Sequence, residues 1–321
     1  MELTGLHHVT AITRHAPQNL EFYTQTLGMR LVKKSVNQDD VSSYHLFYAD
    51  SEGTPGTDMT FFDWAHATPN HEGVGAISAT ALRVGSAGDL AWWAARFDSL
   101  GVAHGEIDEV AGRAALRFTD PEGQALSLVA DGGVPGGTPW EKSPVPQERG
   151  LRGLDGVTLT VRRIAPTEKT LVGVLGFRAT REYKTPESHP VVVFETGPGG
   201  PGTEVHVVER PDLPMARQGA GGVHHVAFRT PNSAEQIAWL GRIGEAGLQV
   251  SPQIDRFYFQ SIYFREPNGI LFEIATDGPG FAADEDTEHL GEHLALPPFL
   301  ESQRARIEAG LRPLELLAAA R

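Results

Sequence analysis

The chain has 321 residues with 40% hydrophobic and 21% charged side chains, a globular balance that leaves room for two domains and excludes a disordered chain. Acidic residues outnumber basic ones, 41 to 27, and the formal charge of -14 without any Lys/Arg cluster excludes nucleic acid and anionic membrane surfaces as partners. The absence of cysteine excludes disulfides, thiolate metal sites and cysteine nucleophiles.

No leader pattern precedes His7 and no apolar run approaches membrane-spanning length, which predicts a cytoplasmic protein. Four segments then share one plan: a strand, an amphipathic helix, further strands, a Gly-rich turn and a closing strand. In the first, from Leu6 to about Trp64, the strand His8 to Thr13 precedes a helix around Asn19 to Tyr23. That helix ends at Gly28, a residue suited to a left-handed cap. Tyr44 to Tyr48 and Met59 to Phe62 are its later strands. The second, about Gly75 to Asp131, has a strand Ala79 to Val84 and a helix with Leu90, Trp93, Ala94 and Phe97 at helical spacing. It closes with Asp120-Pro121-Glu122-Gly123 and a last strand.

The third segment, about Leu154 to Glu209, repeats the first, and the fourth, about Gly222 to Asp277, repeats the second. The expectation is an α+β protein of four βαβββ modules in ABAB order, forming two paired-module mixed-sheet barrels with a C-terminal helical tail. The halves are placed at residues 1–135 and 154–277, joined by a linker at 136–153 within the Gly- and Pro-rich stretch from Gly132 to Gly153. Residues 278–321 form the tail, with an acidic start at Asp284-Glu285-Asp286. One or two helices are expected between Phe299 and Ala320, interrupted by Pro313 and packed as a lid or brace.

Paired histidines enter two of the strands, His7-His8 in the first module and His224-His225 in the fourth, and Glu273 sits in the apolar run Leu271 to Ala275. A lone strand histidine is more often a hydrogen-bonded core residue, and a lone strand glutamate is usually solvated. The duplication is an internal control. Aligning the halves puts His8 on Gly156, His225 on Ala79 and Glu273 on Ser127, so these three side chains are not needed for the shared packing. A buried carboxylate requires a cation or hydrogen-bonding partner, and a divalent metal also accounts for the two imidazoles. His8, His225 and Glu273 therefore form the candidate metal site. Two nitrogens and one oxygen leave open positions on an octahedral ion, which suits non-haem Fe(II), while Mn(II) accepts the same ligands.

These modules and ligand positions, with Tyr44-His45-Leu46-Phe47-Tyr48-Ala49-Asp50 running into Gly53-Thr54-Pro55-Gly56-Thr57, resemble the vicinal oxygen chelate superfamily. Within it the chain most resembles the hydroquinone ring-cleaving dioxygenases of the chlorohydroquinone 1,2-dioxygenase type. The resemblance covers nearly the whole chain. It implies Fe(II), a small aromatic substrate and O2, with His7, Thr10, His224, Arg256 and Tyr263 around the ligands. Tyr263 would exchange a proton near substrate and Arg256 would hold a developing anion. Strand alternation turns His7 and His224 away from the site unless the strand ends twist or bulge, whereas Thr10 shares the face of His8.

Three other readings are carried forward: an extradiol catechol dioxygenase, a glyoxalase-like metal-dependent isomerase or lyase, and a non-catalytic small-molecule binder. The lyase reading calls for a second carboxylate, and Met59 to Phe62 offers none. Assembly into a homo-oligomer stays open. His289-Leu290-Gly291-Glu292-His293 matches a zinc-peptidase pattern, but Gly291 and the following prolines disfavour the helix such a site requires. The prolines of Gly197 to Gly202 likewise argue against a phosphate loop.

Overall fold

A computed structural model describes residues 1–314. The first module holds β1 (Leu6–Thr13), β2 (Arg30–Asn37), β3 (Asp40–Ala49) and β4 (Asp58–Asp63); the second holds β5 (Ala76–Val84), β6 (His104–Val110), β7 (Arg113–Thr119) and β8 (Ala125–Ala130). The third contains β9 (Leu154–Val161), β10 (Arg178–Lys184), β11 (Pro190–Glu195) and β12 (Glu204–Glu209). The fourth contains β13 (Val223–Thr230), β14 (Ile254–Asp255), β15 (Gln260–Arg265) and β16 (Leu271–Thr276).

One helix follows the first strand of each module: α1 (Ala16–Glu21), α2 (Ala87–Leu100), α3 (Ile164–Glu168) and α4 (Ser233–Glu245). The alternation of module types is visible in them. α1 and α3 are short and run on into π-helical turns, Phe22–Thr26 and Lys169–Val174. α2 and α4 are regular and capped, by a Ser86/Asp89 capping box and by Asn232, whose side chain accepts from the Glu235 N–H. Leu90, Trp93 and Phe97 are fully buried, as their spacing predicts.

The strands form two eight-stranded mixed sheets, β14-β15-β16-β13-β1-β4-β3-β2 and β10-β11-β12-β9-β5-β8-β7-β6. The first module therefore joins the fourth, and the second joins the third. In each sheet the modules meet through antiparallel first strands, β1 with β13 and β5 with β9, while first and last strands of a module run parallel. The α+β architecture of four modules in ABAB order is the observed fold.

All eight residues of β1 are buried. Its outward side chains, including Val9 and Ala11, join the core under the helices, and its inward ones, His8 and Thr10, line the concave face. The first sheet curls until its edges meet: Arg256, between β14 and β15, pairs with Asp39, between β2 and β3. After β16 the chain crosses this sheet. Leu294 bridges to Lys34 of β2, and a Cβ on Gly291, at φ +78°, would lie 2.0 Å from the Leu31 carbonyl oxygen, so the crossing needs glycine there.

Two short helices end the described chain, α5 (Pro298–Glu301) and α6 (Arg304–Gly310), with Leu300 and Ile307 packed near Val36. Pro313 falls after α6 rather than within a helix, and the expected helical stretch beyond residue 314 lies outside the described residues. Among the described residues no helix is long and apolar enough to cross a membrane.

Candidate metal centre

The ladders bring the three ligand candidates together. On β1 and β13, His8 lies opposite Ala227 and Thr10 opposite His225; on β16, Glu273 lies beside Ala227. Ala227 and His225 are two apart and share a face, so His8, His225 and Glu273 all point into the concave side. Their ligand atoms lie within 4.8 Å of one another. Nε2 of His8 is 3.2 Å from Nε2 of His225, and the Glu273 Oε2 is 3.3 Å from the first and 2.9 Å from the second. All three residues are at most 3% exposed.

The same registers recur in the second sheet, where Gly156 faces Ala81, Ala79 faces Thr158 and Ser127 lies beside Ala81. The internal alignment of the halves therefore holds residue by residue. The second sheet holds a cavity of about 830 Å³ whose lining includes Ala79, Ser127 and Gly156.

A divalent cation fits the donor set. The Ser261 hydroxyl donates to Glu273 Oε1 at 2.5 Å, but Oε2 is buried without an aligned hydrogen bond, although both imidazoles are close. Burial pushes His225 below the ordinary imidazole range, which keeps its ring neutral. For Glu273 burial acts upward, and charge and hydrogen bonding from His8 and His225, which require protons on their Nε2 atoms, outweigh it in the metal-free site and hold the carboxyl well below the usual range; a divalent cation would take the place of those protons. An ionised carboxylate beside a neutral imidazole is a ligand set for a hard-to-borderline divalent metal.

The neighbouring histidines select the tautomers. His7 Nε2 is 3.1 Å from the Thr276 carbonyl oxygen, which can only accept, so this nitrogen carries the proton. Burial and the neighbouring His8 push His7 down to about 3, so its ring is neutral and Nδ1 is bare. His7 Nδ1 therefore accepts from His8 Nδ1, 2.9 Å away, so Nε2 is the His8 nitrogen left to face Glu273 and to bind a metal. His224 Nδ1 stands 2.8 Å from His225 Nδ1 in the same way, and burial with the adjacent His225 pushes it to about 3. Neither His7 nor His224 joins the triad. Each touches a ligand ring from the side, helped by breaks in the β1–β13 register between Leu6 and His8 and between Thr10 and Ala11.

Thr10 faces inward and its Oγ1 is 2.7 Å from that of Thr60 on β4. Tyr263 lies beside Glu273 in the ladder, with its ring edge-on to His225 at 5.8 Å between centroids. Burial and the Glu273 charge raise the Tyr263 phenol against the opposing pull of Arg256, so it remains protonated. Arg256 Nε donates to the Tyr263 oxygen at 3.4 Å, and its other nitrogens bind the two Asp39 oxygens at 3.2 and 2.9 Å. Phe257, next in the turn, has φ +72°, a strained conformation for a bulky side chain.

One expectation needs correction. The closing strand of the first module begins at Asp58, so it does carry an acid, and that acid sits directly beside His8. Burial pushes the Asp58 carboxyl well above its ordinary range, and its oxygens are not among the atoms that meet at the triad. Other residues escaped the sequence reading. Ser261 could have been found from its two-residue spacing to Tyr263, which puts both on one face. Lys33 carried no such signal: it is fully buried, with Nζ 2.7 Å from Asp284, in contact with Glu285 and 4.7 Å from the Tyr258 ring centre. Phe281 packs on Phe47 and Tyr258, so the segment covering the concave face is the acidic start of the tail. His289 Nδ1 and Glu292 are exposed and 3.2 Å apart on the surface, which agrees with rejecting a peptidase site there.

A family model described as the glyoxalase/bleomycin resistance protein/dioxygenase superfamily matches residues 5–128 and 153–274. The chain is 47% identical over 316 residues to MhqA of Bacillus subtilis (strain 168), provisionally named a ring-cleaving dioxygenase, covering 98% of this chain and 100% of that one. It is 31% identical to the chlorohydroquinone/hydroquinone 1,2-dioxygenase of Sphingobium indicum, covering 92% of each chain. Among solved structures, a Bacillus subtilis protein provisionally described as a dioxygenase superposes with a TM-score of 0.90 at 37% identity, covering 98% of each chain. Glyoxalase I from Zea mays shares the fold, with a TM-score of 0.63 at 15% identity over 90% of this chain and 96% of that one.

Proposed function

This chain belongs to the glyoxalase/bleomycin resistance protein/dioxygenase superfamily, and from that premise we propose that it is an Fe(II)-dependent dioxygenase that opens hydroquinone-type rings with O2. The observation that carries the reading is the convergence of two imidazole nitrogens and one oxygen of a buried carboxylate on one point. His8, His225 and Glu273 would hold the ion. Fe(II) in such a site supplies one-electron chemistry that lets O2 react with an aromatic ring, and open coordination positions for both reactants.

The protein supplies position and protons. Tyr263, protonated and beside His225, can donate to a substrate oxygen, and the Arg256 cation on its other side stabilises negative charge developing there. His7 and His224 brace the ligand rings through Nδ1, and Ser261 braces Glu273. The tail keeps water from the concave face through Phe281 and the Lys33 contacts. The dioxygenase names of MhqA and the Sphingobium enzyme support the reaction class, and the hydroquinone substrate of the latter supports the substrate class.

A glyoxalase-like reaction is disfavoured, because the inward residue of β4 beside Thr10 is Thr60, and Asp58, though in register with His8, contributes no oxygen to the cluster of ligand atoms. The test is oxygen uptake by protein loaded anaerobically with Fe(II), given hydroquinone and catechol side by side. Faster uptake with hydroquinone is expected; a clear preference for catechol moves the assignment to an extradiol catechol dioxygenase.

A further inference from the structure

The first sheet places the triad on its central strands β16, β13 and β1, with Tyr263 on one flank and His45 on the other. His45 is on β3, two strands from β1, and lies opposite Phe62 in the β3–β4 ladder. Two strand spacings amount to roughly 10 Å along a flat sheet. The curl shortens the path across the concave side, where the edges close through Arg256 and Asp39.

The His45 ring is held on three sides. Phe47 and Phe62 lie against it with centroids at 3.9 and 4.5 Å, and its Nε2 is 2.9 Å from the Thr60 hydroxyl. Thr60 in turn contacts Thr10, which ties the ring to β1. Its Nδ1 has no hydrogen-bond partner among the described residues, and the residue keeps part of its surface open although it sits among buried neighbours. Burial, followed by the nearby His8 and His225, pushes this imidazole well below its ordinary range, so it is neutral. In the neutral tautomer in which Nε2–H donates to the Thr60 hydroxyl, Nδ1 is left as a free acceptor on the concave side of the sheet that carries the triad.

A para-hydroquinone carries hydroxyls on opposite edges of its ring. When one is at the triad, the other is buried at the far side of the site, and an unpaired buried hydroxyl costs about 1 to 3 kcal/mol. Catechol has both oxygens on the metal edge and only C–H groups at the far edge. We propose that His45, donating through Nε2 to Thr60, accepts at Nδ1 the hydrogen bond of the hydroxyl para to the one at the triad, and so selects para-diols over ortho-diols. This rests on the hydroquinone reading above.

The test is binding of hydroquinone, phenol and catechol to Fe(II)-loaded protein without O2, in the wild type and in His45→Phe and His45→Gln, with iron content and melting temperature measured on each. Wild type should bind hydroquinone about tenfold more tightly than phenol. His45→Phe should bring that ratio close to one while catechol affinity and iron content stay unchanged, and His45→Gln, which keeps a neutral acceptor, should restore part of it. Thr60→Val, which frees the ring without altering it, should give a smaller loss of the same kind and stands in if His45→Phe does not fold. An unchanged hydroquinone-to-phenol ratio in these variants, or equal losses for hydroquinone and catechol, overturns the role of His45 and leaves the hydroquinone reading intact. Wild-type protein that cleaves catechol and neither binds nor cleaves hydroquinone overturns both.

Discussion

His8 Nε2 and His225 Nε2 lie 3.2 Å apart although their residues are 217 positions apart in the chain. The two nitrogens and Glu273 Oε2 converge on one point, a geometry that a single cation can occupy. One divalent metal per chain is expected, because the second sheet has Gly156, Ala79 and Ser127 in the equivalent places. Glu273→Ala should remove iron and activity together, while Glu122→Ala leaves both near normal. Two tightly bound ions per chain, or full activity in Glu273→Ala, would refute the assignment.

Ser261 holds the second oxygen of Glu273. Removing a hydrogen bond of this kind to a metal ligand lowers affinity by about 10- to 100-fold. Ser261→Ala should therefore weaken iron binding in a competitive chelator titration and leave the melting temperature of the metal-free protein nearly unchanged. Equal iron affinity in variant and wild type counts against the role of Ser261.

Tyr263 carries a phenol that burial and Glu273 keep protonated. Tyr263→Phe should lower kcat/KM for hydroquinone by about 100-fold, since loss of a positioned proton donor removes at least that factor, while iron affinity changes far less. Oxygen consumption with methylhydroquinone and methylcatechol checks this; indifference of both rates to the lost hydroxyl would argue against a catalytic Tyr263.

His7 sits at about 3 in the folded protein against 6.5 when exposed, because burial disfavours its charged form. Between these values the unfolded chain binds the extra proton, so the contribution of His7 is complete above pH 6.5 and falls as pH drops toward 3. The slope is about 1.4 kcal/mol per pH unit. Stability of the metal-free wild type relative to His7→Gln should therefore decline from pH 6.5 downward. A difference that stays flat over that window would show that His7 is not held neutral.

Lys33 is the buried anchor for Asp284 and Glu285. Lys33→Ala removes the buried ammonium and leaves two part-exposed carboxylates side by side, which should destabilise the protein by about 1 to 2 kcal/mol. Protease cleavage between Phe281 and Leu296 should become faster, because that segment is strapped to β2 through the same residue. Wild-type cleavage rates in the variant would show that the strap is held by Phe281 and Leu290 alone.

The duplicated modules, their helices and the three ligand candidates were legible in the chain because each rests on local pattern. Period-two and helical spacings report which residues are inward, and the second copy separates packing residues from chemical ones: Ala79 can replace His225 without disturbing the ladder. The tautomer of His8 was not legible, since it depends on the Thr276 carbonyl reached through His7. Asp58 was misplaced by one residue at a strand end, where propensity gives no sharp boundary.

Which modules pair was decided only by tertiary structure. Each first strand exposes a similar apolar edge, so β1 could as well have met β5 by local preference. The choice of β13 depends on register, on the bulges beside His8 and Thr10, and on packing across distant segments. That choice makes the site: His8 comes from the first module, and His225 and Glu273 come from the fourth. The tail was legible as a brace, but its anchor Lys33 was invisible for the same reason, because the favourable burial of a charge depends on partners 251 and 252 residues away, and no local pattern encodes a distance of that length.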